Sequence, residues 1–70
     1  MTRSVLSWVL EKLAQGHDVA LATVLDSRGS VPGKPGAKLA MIKNGEKFGT
    51  IGGAGLELKI EKALYELIKN

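Results

Sequence analysis

Residues 49 to 57 read GTIGGAGLE, with glycines at 49, 52, 53 and 55 between a strand-like run and a helix-like pattern. A strand that turns through glycines into a helix exposes the first free N–H groups of that helix. The helix dipole adds partial positive charge at the same point, so such a corner attracts anions. Glu57, in the first helical turn, complements the dipole by itself and would also compete with an anionic ligand. Cations to complete an anion site come from the preceding loop, DSRGSVPGKPG (26 to 36). There Arg28 can clamp a phosphate with paired N–H donors, and Lys34 can act as a mobile point charge. Ser30 offers a hydroxyl, although a serine before a proline-containing turn more often caps its own backbone.

The named phosphate motifs are absent. The dinucleotide fingerprint G-x-G-x-x-G fails because Gly53-Ala54-Gly55 is followed by Leu58 where the third glycine belongs. A Walker A loop fails because neither Gly33-Lys34-Pro35 nor the 49 to 55 run ends in G-K-[ST] at the required spacing. Catalytic sets are missing as well. His17 is the sole histidine and, with Asp18 beside it, reads as a helix-terminal or surface residue. The sequence has no cysteine, which removes a disulfide framework, a zinc–thiolate site and a thiol nucleophile. A non-enzymatic binding module is therefore the expectation, with no catalytic residue and no metal ligand set.

The elements that must hold this corner follow from periodicity. Val5, Leu6, Val9, Leu10 and Leu13 fall on one helical stripe with Trp8 at its border, and Gly16 stops a helix over residues 3 to 15. VALATVL (19 to 25) is apolar without alternation, which predicts a central strand buried on both faces. Asn44-Gly45 signals a hairpin with a type I′ turn between strands near 38 to 43 and 46 to 51. Leu56, Ile60, Ala63, Leu64 and Leu67 line one face of a second helix over about 54 to 69. Leu58, Tyr65 and Ile68 lie off that stripe and suggest a second contact surface, or a helix end that packs back toward Trp8. The order α-β-β-β-α predicts a small α+β domain with an antiparallel hairpin and two flanking helices.

Seventy residues bury a small core, so a ligand or self-association is expected to contribute to stability. The longest apolar runs are too short to span a bilayer, and no signal-peptide pattern precedes Glu11 and Lys12, so a cytoplasmic protein is expected. The net charge of +3 is concentrated in the middle: Arg28, Lys34, Lys38, Lys43 and Lys47 stand against Glu46 alone. Such an excess attracts phosphate esters, nucleic acid or an acidic protein, or merely guards exposed strands. Nucleic acid is disfavoured, because aromatic residues for stacking are scarce and no helix presents a basic face.

The stretch ALATVLDSRGSVPGKPGAKLAMIKNGEKFGTIGGAGLE resembles the N-terminal domain of the XdhC/CoxI family, accessory factors for xanthine dehydrogenase and related molybdenum hydroxylases. Ala22-Thr23-Val24, Gly29-Ser30, Pro35-Gly36-Ala37-Lys38 and the turn from Gly49 to Glu57 carry the resemblance most specifically. It implies a cytosolic, chaperone-like factor that transiently binds molybdenum cofactor (molybdopterin) and supports its insertion into an apo-hydroxylase. Carried onto this chain, the cofactor-binding residues are Arg28, Gly29, Ser30, Lys34, Gly52, Gly53, Gly55 and Glu57. Gly55 stands where family members commonly carry a cysteine, and Gly33 where they frequently carry an arginine. The Rossmann-like domain into which family members continue is not found in residues 1 to 70, so the expected partners are an apo-hydroxylase, a separate Rossmann-like partner and, as a homo-oligomer, further copies of the chain. The alternative is a ligand-free interaction or oligomerisation subunit of a larger accessory complex.

Overall fold

The computed structural model describes residues 3–25 and 35–69, with no description of the side chain of Ala54. Helix α1 (Val5–Ala14) starts at Ser4, whose hydroxyl oxygen accepts from the Ser7 N–H at 3.0 Å. It ends before Gly16, which takes the positive φ that a helix stop of this kind needs. Strands β1 (Val19–Thr23), β2 (Lys38–Ile42) and β3 (Lys47–Thr50) form an antiparallel sheet, and α2 (Ala54–Ile68) closes the described chain. The architecture is the expected α+β domain.

Sheet order corrects one expectation. The order is β1-β2-β3, so the central strand is β2, and VALAT lies at an edge with Leu21 and Thr23 exposed. Uniform apolarity does not distinguish a two-faced central strand from an edge strand whose outer flank is apolar. KLAMI, with Leu39 to Ile42 all buried, is the strand shut in on both faces. The hairpin turn is corrected too. Among the described residues no non-glycine has positive φ, so Asn44 does not adopt the type I′ conformation, and only Gly45 (φ +94°) crosses over. The Gly45 N–H donates to the Ile42 carbonyl at 2.9 Å, and the Ile42 N–H donates to the Glu46 carbonyl at 3.0 Å. This is a type I turn followed by a left-handed glycine, stabilised where Asn44 Oδ1 accepts from the Glu46 N–H at 2.7 Å.

Each sheet face carries one helix. On one face Trp8, Ala40 and Ile42 form a buried cluster with Val5, Val9, Val19 and Phe48 against it. On the other, Ala20, Leu39, Met41, Ile51, Leu64 and Ile68 pack with Leu56 and Ile60. Both helices are rotated from the stripes read in the sequence. Trp8, expected at the border, is the buried centre of α1, while Leu6, Leu10 and Leu13 are exposed. In α2, Ile68 is buried rather than part of an outer surface, and Leu67 and Ala63 face outward. At the sheet the Trp8 ring stacks on Phe48 with centroids 5.8 Å apart, and Lys12 Nζ lies 5.4 Å from its centroid.

Candidate functional site

The corner between β3 and α2 begins with a glycine that has no substitute. Gly49 sits at φ +96°, and a Cβ there would stand 2.3 Å from the Lys38 carbonyl oxygen and 2.7 Å from Val5 Cγ2. The chain then leaves β3 at Thr50, anchors through the buried side chain of Ile51, and reverses at Gly52 with φ +89°. Gly53 is the N-cap of α2 and makes no side-chain cap. Gly55 faces open space, with nothing near the position a Cβ would take.

Glu57 reaches back from the first turn of α2 to close this corner. Its Oε1 accepts from the Thr50 hydroxyl and, at 3.0 Å, from the Ile51 N–H, while Thr50 Oγ1 accepts from the Gly52 N–H at 3.1 Å. The Thr50 hydroxyl, then the Ile51 N–H, hold the Glu57 carboxyl below its ordinary pKa against a small opposing effect of desolvation, with a further contribution from the charge on Lys47. Glu57 is thus an ionised latch across the turn. Gly49 and Thr50, inside the quoted stretch but not among the expected binding residues, shape the corner as much as the glycines after them. The readable signal was a hydroxyl seven residues before a first-turn glutamate.

A hollow of about 150 Å³ lies at the corner, lined by Ala37, Thr50, Ile51 and Gly52. Ala37 belongs to the segment that re-enters the sheet from the long loop, so the end of that loop and the glycine corner share one wall. The structure therefore brings Gly52, Gly53, Gly55 and Glu57 together, whereas Arg28, Gly29, Ser30 and Lys34 lie outside the described residues. Part of the mid-chain positive charge is already spoken for: Lys47 pairs with Glu61, and Lys38 Nζ donates to the Gly36 carbonyl at 3.0 Å. A larger hollow, about 410 Å³, lies elsewhere, between the hairpin tip at Gly45 and the Leu58 and Tyr65 flank of α2.

The profile of the XdhC and CoxI family matches residues 12–70. This chain belongs to the XdhC and CoxI family. No curated protein and no solved structure matches it. Membership in the XdhC and CoxI family points to an accessory role for molybdenum hydroxylases rather than to catalysis, with such a hydroxylase as the partner class. No helix among the described residues is long and apolar enough to cross a membrane.

For a molybdenum-bearing pterin, the donor set fits one end of the group only. Among the described residues no three His, Cys, Asp or Glu side chains gather as for a metal, and the sequence has no cysteine to supply a thiolate for a soft ligand. The uncapped start of α2 and the adjoining hollow suit a phosphate-sized anion.

Proposed function

We propose that this XdhC/CoxI chain is an accessory module that holds the anionic, phosphate-bearing end of molybdenum cofactor at the β3–α2 corner. The carrying observation is the uncapped N-terminus of α2 opening between Gly52 and Gly55 beside the hollow walled by Ala37. Gly52 and Gly53 let the backbone approach the ligand, and the N–H groups of the first α2 turn, which have no intrahelical partner, point toward it. Glu57 serves as the latch that fixes the turn, its charge spent on Thr50 and Ile51. Because the corner then supplies partial charge only, the full positive charge comes from Arg28 and Lys34 in the loop that rejoins at Ala37. Gly29 and Ser30 bring the loop backbone and a hydroxyl to the same ligand.

The test is an anaerobic equilibrium titration with purified molybdenum cofactor, followed by cofactor absorbance. Trp8 is a poor reporter, since it is buried against the opposite sheet face from α2. Saturable binding by the wild type, weakened at least tenfold in the Arg28→Ala/Lys34→Ala double variant, is the expected outcome. Equal affinity in both would sink the role of the loop, and no binding by the wild type would sink the site. In that second case the exposed leucines on both helices favour a ligand-free interaction subunit, whose thermal stability pterin would leave unchanged.

A further inference from the structure

The two edges of the sheet are finished in opposite ways. Over the β3 edge lie charges: Lys47 pairs with Glu61 of α2, Lys12 of α1 pairs with Glu46, and Arg3 lies over the Phe48 ring. The β1 edge, VALAT, carries no charge. Strands left open to solvent are normally blunted by lysine, proline or a bulge, and β1 has none of these.

Both helix layers present leucine toward that edge. Successive helical residues are 100° apart. In α1, Trp8 leans toward Phe48 of β3, so Leu13 and Leu6, about a quarter-turn round from the sheet-facing stripe on its other side, fall on the β1 side, and Leu10 lies farther round toward solvent. In α2, Glu61 leans toward β3, so Ala63 and Leu67 fall on the β1 side. Leu13 is 51% exposed and Leu67 76%, and Leu21 projects from β1 itself on the α1 face.

The backbone completes the pattern. The Val24 N–H donates to the Ala37 carbonyl at 2.9 Å, so Val24, and by alternation Ala22 and Ala20, turn their backbone groups toward β2. Those of Val19, Leu21 and Thr23 point outward, where no described strand meets them.

We propose that the β1 edge is the docking surface for a second copy of this chain, joined through antiparallel β1–β1 pairing. A two-fold axis perpendicular to the sheet sets Leu21 opposite its own counterpart and Val19 opposite Thr23, and continues three strands to six. That axis keeps each helix layer on its own face, so the α1 layers adjoin on one side of the joined strands and the α2 layers on the other. Only a partner with matching layers above and below the strand covers both flanks at once, and the chain itself is such a partner. The exposed parts of Leu6, Leu13, Leu21 and Leu67 amount to roughly 400 Å² per copy, about half of the ~800 Å² per partner that a specific interface buries, and the β1 backbone supplies more.

Sedimentation velocity across the micromolar range, without pterin, decides the matter. The wild type is expected at twice the chain mass of 7.4 kDa. Leu21→Lys, which sets like charges across the axis, and Leu13→Glu are each expected to halve the mass with far-UV circular dichroism retained. Should Leu21→Lys fail to fold, Thr23→Pro removes an outward N–H and no bond to β2, and is expected to halve the mass likewise. A wild type at 7.4 kDa throughout would overturn the proposal and leave the edge to another protein's strand. A doubled mass that survives these changes would overturn it as well.

Discussion

Glu57 shows how one side chain can belong to a candidate binding corner without contacting a ligand. Its carboxylate satisfies the Thr50 hydroxyl and the Ile51 N–H, two donors that would otherwise compete for an incoming anion. Those bonds favour the ionised form, so the folded-state pKa lies below the unfolded one. The stabilisation is therefore present at neutral pH and is lost as pH falls through the folded value, below the ordinary carboxylate range. Thermal melts of the wild type and Glu57→Gln are expected to differ most near neutrality and to converge in acid. A gap that stays constant with pH would show that the latch is not electrostatic. The first-turn position of Glu57 was legible in the sequence as a dipole effect, but its reach back to β3 was not, because that reach depends on how tightly Gly52 folds the chain.

At the scale of elements, two glycines of the same corner carry opposite consequences. Gly49 in β3 combines positive φ with backbone and Val5 against the missing Cβ, so Gly49→Ala is expected to cost roughly 3 kcal/mol, on the order of 15 °C in melting temperature. Gly55, in the first turn of α2 and facing open space, is expected to gain about 0.5 kcal/mol as Gly55→Ala, read in the same melts. Equal shifts would mean that the close approach at Gly49 relaxes. Element types and order were readable because Gly16, Asn44-Gly45 and the 3.6-residue period are local signals. Which helix face is buried was not. Leu6, Leu10 and Leu13 match an apolar stripe as well as Val5, Trp8 and Val9 do, and what separates them is non-local, the packing of Trp8 against Phe48, Ala40 and Ile42. For β1, an apolar run fitted both a central strand and an edge whose flank is greasy. The loop residues of the anion site were singled out by composition, and Arg28, Gly29, Ser30 and Lys34 lie outside what the structure describes.

Taken whole, the molecule is two small cores on either side of one shared strand. Leu39 and Met41 belong to the α2 core, and Ala40 and Ile42 to the α1 core, so β2 is the element through which each helix layer depends on the other. Paired on both sides, the amides from Leu39 to Ile42 are expected to be the slowest in the chain to exchange with deuterium, and to do so together, since opening either layer exposes them. The lone pairing of β1 leaves a different trace in time. In a lone copy its amides would alternate, Ala20 and Ala22, turned toward β2, exchanging slowly and Val19, Leu21 and Thr23, turned outward, at nearly the rate of open chain; in the β1-paired dimer all five are expected to be slow. Adding a neighbour at that edge would erase the alternation, so a five-residue rhythm of fast and slow protons records whether the sheet ends at β1 or continues past it.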